Sequence, residues 1–123
     1  MAKILVVEDE KKLLEMYVAR LEKAGYDVVG VLTGQEGLEK AQQEKPDLIV
    51  LDILMPGLTG YDVLKKLKVN SRTKDIKVLV FSNLGQDEEI KKGLDLGAND
   101  YIIKTNYTPK DLLDKIEKIL KEI

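Results

Sequence analysis

Acids, a hydroxyl and a lysine interrupt the ends of four apolar runs. Residues 3–7 (KILVV) run into Glu8, Asp9 and Glu10, and residues 48–51 (LIVL) run into Asp52. Residues 76–81 (IKVLVF) deliver Ser82, and residues 101–103 (YII) end in Lys104. Taken singly, each has an ordinary structural explanation: Glu8 and Asp9 as helix N-terminal acids, Ser82 as a turn hydroxyl, Lys104 as a snorkelling lysine. Asp52, followed after two residues by the turn residues Met55, Pro56 and Gly57, could serve only to start that turn. If all four runs end at one edge of one sheet, the coincidence reads as a site.

The charges say what such a site needs. Glu8, Asp9 and Asp52 against Lys104 leave an excess of negative charge, and each pair of like charges a few ångströms apart costs about 1 to 4 kcal/mol depending on the local dielectric. A divalent cation relieves this. An oxygen-only donor set, with neither histidine nor cysteine anywhere in the chain, suits Mg²⁺ with retained waters better than zinc. A metal, a carboxylate, a lysine and a small hydroxyl are the equipment of phosphoryl transfer, which proceeds by positioning and charge neutralisation. Asp52 would be the nucleophile. The chain has no Walker A loop and no dinucleotide glycine fingerprint.

The elements that must hold these residues follow from periodicity. Leu13, Leu14, Tyr17, Val18 and Leu21 recur at helical spacing and stop at Gly25. A second strand over 28–32 leads to Thr33 and Glu36, a capping-box pair opening a helix that buries Leu38 and Ala41. After the third strand and its turn, Tyr61, Val63, Leu64 and Leu67 make another amphipathic helix. The helix over 87–96 is the weakest: Ile90 and Leu94 are its apolar anchors, and Gly93 in its middle costs about 1 kcal/mol against alanine. Thr108, Pro109 and Asp111 open the last helix, whose stripe is Leu112, Leu113, Ile116, Ile119, Leu120 and Ile123. Five strands alternating with five helices imply a doubly wound parallel α/β sheet with right-handed crossovers and helices on both faces. Ligands of such folds bind beyond the carboxyl ends of the strands, which is where all four interruptions fall.

Composition narrows the function. The 123 residues make one domain, and 20 basic against 22 acidic residues give a formal charge of −2 that speaks against nucleic acid or an anionic membrane as direct partner. Without cysteine there is no thiolate chemistry, and a cytoplasmic address is the expectation. Without histidine, any phosphohistidine step must occur on another protein.

The motifs ILVVEDE, PDLIVLDILMPGLTG, VLVFSN and GANDYIIK, in this order and spacing, resemble the response-regulator receiver domain over essentially the whole chain, most nearly its stand-alone chemotaxis-type members. The resemblance implies a flavodoxin-like sheet of order 2-1-3-4-5 over residues 1–123, with no output domain. It implies Mg²⁺ held by Glu8, Asp9, Asp52 and the backbone carbonyl of Leu54, and phosphorylation of Asp52 by a histidine kinase or histidine phosphotransfer protein. Lys104 and Ser82 would contact phosphoryl oxygens, and Ser82 with Tyr101 would form the switch that changes the surface of helix 4, strand 5 and helix 5. The product is a signalling phosphoprotein of a two-component system rather than an enzyme, read by a partner of unknown identity, as a monomer or a weak phosphorylation-dependent homodimer.

Two positions depart from the family pattern. Thr105 follows Lys104 where proline is usual, so no cis bond is expected there. Leu54, two residues after the acceptor, is apolar, cannot help orient a hydrolytic water, and implies a long-lived phosphoryl group. It also removes the second aspartate of aspartyl-nucleophile phosphatases, the enzymatic rival. A flavin carrier lacks its phosphate-cradling loop here, and the remaining alternative is a receiver scaffold that acts only as a binding module.

Overall fold

The structure is a computed structural model and describes residues 2–122. The elements in order are β1 (Lys3–Val7), α1 (Lys11–Lys23), β2 (Asp27–Val31), α2 (Gly34–Glu44), β3 (Leu48–Leu51), α3 (Gly60–Val69), β4 (Lys77–Ser82), α4 (Asp87–Asp95), β5 (Asp100–Ile103), a 3₁₀ turn (Lys104–Asn106) and α5 (Pro109–Lys121). All sheet pairings are parallel, in the order β2-β1-β3-β4-β5. This is the expected doubly wound sheet. Ile123, placed by its spacing in the α5 stripe, lies outside the described residues.

The strands read as unbroken apolar runs because both faces are covered. Successive side chains alternate between two cores. Leu5, Val7, Ile49, Leu51, Val78, Val80 and Tyr101 pack on one face with Ala41, Val63, Leu64 and Leu67 of α2 and α3. Ile4, Val6, Leu48, Val50, Leu79, Phe81 and Ile102 pack on the other with Leu14 and Leu21 of α1 and Leu112, Ile116 and Ile119 of α5. β3, with four residues all buried, is the central mount.

Helix ends follow their local chemistry. Gly25 takes φ 99 beyond α1, as its position predicts. Thr59 with Asp62 and Thr108 with Asp111 form reciprocal capping boxes. At α2 the expected box is half made: Thr33 Oγ1 accepts from the Glu36 amide, but its hydroxyl donates to the Glu36 carboxylate. One apolar expectation fails. Leu94 is 43% exposed, and the only buried residue of α4 is Gly93. The reason is that the Tyr101 ring occupies the space, 3.0 and 3.2 Å from where a Cβ on Gly93 would stand. The glycine therefore lets an aromatic ring pack directly against the α4 backbone. The segment after Lys104 is one 3₁₀ turn, and every described peptide bond is trans.

Candidate functional site

The parallel register brings the strand ends to one edge. Val7 lies beside Leu51, so Glu8 and Asp52 are the next residues of adjacent strands, and the Asp52 amide donates to the Val7 carbonyl at 3.1 Å. β4 runs on past the end of β3: Leu51 pairs with Val80, and Ser82 pairs with Ile103 immediately before Lys104.

Lys104 closes the cluster. Its Nζ donates to Glu8 Oε1 at 2.5 Å and to Asp52 Oδ2 at 3.1 Å, with side-chain exposures of 11% for the lysine, 3% for Glu8 and 9% for Asp52. The other carboxylate oxygens are also held. Asp52 Oδ1 accepts from the Ile53 amide at 2.7 Å, and Glu8 Oε2 from the Glu10 amide at 3.1 Å. The rings of Phe81 and Tyr17 flank the ammonium at 5.8 and 6.0 Å from their centroids and keep it dry. Asp9 is exposed and stands on the solvent side.

Burial drives the Glu8 carboxyl above its ordinary range, with the Asp52 charge adding to it against the pull of Lys104 and the Glu10 amide. For Lys104 burial acts to lower the ammonium, but the hydrogen bond to Glu8 and the two carboxylate charges outweigh it, and the net direction is upward. The two shifts differ in cause: burial dominates at Glu8, and the neighbouring carboxylates prevail at Lys104. Glu8, Asp9 and Asp52 each offer an oxygen within 4.8 Å of the others. Three hard oxygen donors, one of them open to solvent, fit a hard divalent cation that keeps part of its water, as Mg²⁺ does. Leu54 follows in the same loop and is 56% exposed.

Ser82 is fully buried, and its Oγ accepts from the Leu84 amide at 3.3 Å. The Leu84 carbonyl accepts from the Tyr101 hydroxyl at 2.6 Å. One residue thus ties the hydroxyl at the site to the aromatic ring beside α4. Burial, then the neighbouring Tyr61, pushes the Tyr101 phenol up, so it stays a donor.

All the residues singled out by their strand-end positions therefore meet at one edge. Sequence reasoning missed Gly60 and Leu84. The Gly60 amide donates to Ile53 at 2.9 Å, and a Cβ there would come to 2.7 Å of the Ile53 Cα, so only glycine lets α3 start this close to the Asp52 loop. A glycine directly after a capping threonine was the available signal; Leu84 offered none.

Known proteins resemble this chain in sequence and fold. The model of the response regulator receiver domain matches residues 4–117. The chain is 41% identical over 121 residues to the alkaline phosphatase synthesis transcriptional regulatory protein PhoP of Bacillus subtilis, covering 97% of this chain and 48% of that protein. It is 37% identical to the phosphate regulon transcriptional regulatory protein PhoB of Escherichia coli, covering 98% and 52%. The chain thus spans about half the length of the curated relatives it matches. Among solved structures, chemotaxis protein CheY4 of Vibrio cholerae superposes with a TM-score of 0.90 at 31% identity, covering 97% of this chain and 98% of that one. The BeF3-activated receiver domain of Klebsiella pneumoniae RstA superposes with a TM-score of 0.88 at 32% identity, covering 98% and 99%. The chain belongs to the response regulator receiver domain family.

Proposed function

We propose that Asp52 is the phosphoacceptor of a histidine-to-aspartate relay. The observation that carries this reading is the Lys104 ammonium bridging Glu8 and Asp52 at one sheet edge. An Asp52 carboxylate oxygen attacks the phosphorus of a phosphohistidine on a kinase or phosphotransfer protein. The P–O bond forms as the N–P bond breaks, and the imidazole nitrogen keeps the electron pair and takes up a proton from solvent. Lys104, already at Asp52 Oδ2, neutralises charge on a phosphoryl oxygen. Glu8, Asp9, Asp52 and the Leu54 carbonyl would hold Mg²⁺, which when bound neutralises phosphoryl charge and orients the donor.

The signal then leaves through Leu84. A Ser82 hydroxyl turning to the new phosphoryl group gives up its bond from the Leu84 amide. The loop that moves carries the carbonyl to which Tyr101 is bonded. The surface of α4, β5 and α5 changes by a shift of population between two arrangements. The chain is in this reading a cytoplasmic signalling protein rather than an enzyme acting on others. In this reading the receiver is monomeric or weakly dimerising on phosphorylation, and a further domain or protein reads the change. Among the described residues no helix is long and apolar enough to cross a membrane.

Incubation with Mg²⁺ and acetyl phosphate, followed by intact mass, tests this. The native protein gains one phosphoryl unit and Asp52→Asn gains none; an adduct on both, or on neither, overturns the reading.

A further inference from the structure

Two tyrosine hydroxyls, from different elements, hold the backbone at the start of α4. Tyr101 of β5 bonds the Leu84 carbonyl ahead of the helix. Tyr61 of α3 donates to the Glu89 carbonyl at 3.0 Å, within the first turn of α4. By the period of the helix this carbonyl faces the amide of Gly93, the residue over which the Tyr101 ring is packed. The Tyr61 ring meets α4 a second time, because the Lys92 ammonium lies 4.4 Å from its centroid. Tyr61 therefore touches both the backbone and a side chain of α4, and the two phenols share one neighbourhood. Burial raises both phenols, and the Tyr101 phenol is raised further by Tyr61.

These contacts matter because α4 has so few others. Its one buried residue is Gly93, Ile90 is partly buried, and Leu94 faces solvent. Where an element is lightly packed, a single hydrogen bond is a large part of what fixes its position. We propose that Tyr61 is a positioning residue, a latch from α3 that holds α4 in the seat it occupies in this structure. Its consequence for signalling rests on the reading of Asp52 as acceptor; the latch itself does not. Releasing it frees α4 and, through the loop that carries Leu84, changes how readily Ser82 moves toward the site. One net hydrogen bond corresponds to about a two- to tenfold shift in such an equilibrium.

Tyr61→Phe keeps the ring and its contact with Lys92 and removes only the hydroxyl. Hydrogen exchange of the unphosphorylated protein, without Mg²⁺ or donor, should show amides 84–95 exchanging about two- to tenfold faster while α3 and the core strands match the native protein. Lys92→Gln should accelerate the same segment less. The phosphorylation rate of Tyr61→Phe with acetyl phosphate should differ from that of the native protein by a similar factor. Unchanged exchange over 84–95 overturns the latch, as does acceleration spread through the whole core, which marks a general loss of stability. Faster exchange with an unchanged phosphorylation rate overturns the coupling to the acceptor. A native protein that takes no phosphoryl group removes the Asp52 reading, and the exchange measurement then decides the latch alone.

Discussion

Lys104 Nζ and Glu8 Oε1 lie 2.5 Å apart across 96 positions of sequence, and the same ammonium reaches Asp52 at 3.1 Å. Removing one partner of a buried ion pair leaves an uncompensated charge, at a cost of about 3 to 5 kcal/mol. Here Lys104→Met would leave Glu8 and Asp52 facing each other with no cation. The variant should melt well below the native protein in chelator and recover much of the loss on addition of Mg²⁺, so that the gain in Tm from the metal is larger than in the native chain. Equal gains in thermal melts of the two proteins would refute the idea that lysine and metal relieve the same excess charge.

Asp9 tests the metal separately from the fold. Its side chain is exposed, and it contributes an oxygen to the acidic cluster. Asp9→Asn should leave stability within about 0.5 kcal/mol, as surface changes do. Mg²⁺ affinity, followed by calorimetry, should fall severalfold to tenfold. A variant that binds Mg²⁺ as the native protein does would place the ion elsewhere.

How much of this was legible in the sequence divides along physical lines. Alternation along a strand is local, so the two-sided burial of β1, β3 and β4 and the common edge of Glu8, Asp52, Ser82 and Lys104 could be read from it. What lies opposite a helix is not local. The spacing of Ile90 and Leu94 makes Leu94 an anchor of α4, but the Tyr101 ring sits over Gly93 and Leu94 is left outside. Tyr61 has the spacing of an ordinary core residue, and nothing along the chain shows its hydroxyl meeting a backbone carbonyl 28 residues later. Thr73, buried and donating to the Leu67 carbonyl at 2.7 Å, was equally invisible.

Gly60 and Gly57 flank the same loop but should respond differently to alanine. At Gly60 the new Cβ meets backbone, 2.7 Å from the Ile53 Cα, which cannot rotate away. Gly60→Ala should cost about 1 to 3 kcal/mol by overpacking and displace the Asp52 loop, so phosphorylation slows as well. At Gly57, φ is 78 and the space is open, so the cost is conformational only, about 1 kcal/mol, with the acceptor left in place. Denaturant unfolding and acetyl phosphate kinetics on the two variants separate the effects.

The capping boxes give an acid-side signature. Hydrogen bonds from the Thr59 amide and hydroxyl hold the Asp62 carboxyl below its ordinary value of 3.8, and those of Thr108 do the same for Asp111. A carboxyl depressed in the folded state contributes stability that is fully present above its unfolded value and is lost as pH falls through the folded one. Asp62→Asn and Asp111→Asn should therefore be less stable than the native protein at pH 7, with the difference closing below about pH 4. A gap that persists at pH 2 would assign the effect to packing rather than charge.

Leu54 offers the sharpest kinetic contrast. The residue is 56% exposed in the loop after Asp52, and its side chain carries no group that can orient water. Hydrolysis of an acyl phosphate needs a water placed in line with the P–O bond, and a polar side chain at this rim could hydrogen-bond one. Leu54→Asn should therefore shorten the lifetime of phosphorylated Asp52, with little change in stability because the position is exposed. Loss of the phosphoryl adduct with time, followed by intact mass after removal of the donor, reads this directly. Equal lifetimes in the two proteins would mean that water reaches the phosphorus by a path Leu54 does not border, and the persistence of the signal would then lie with Lys104 and the buried floor of the site.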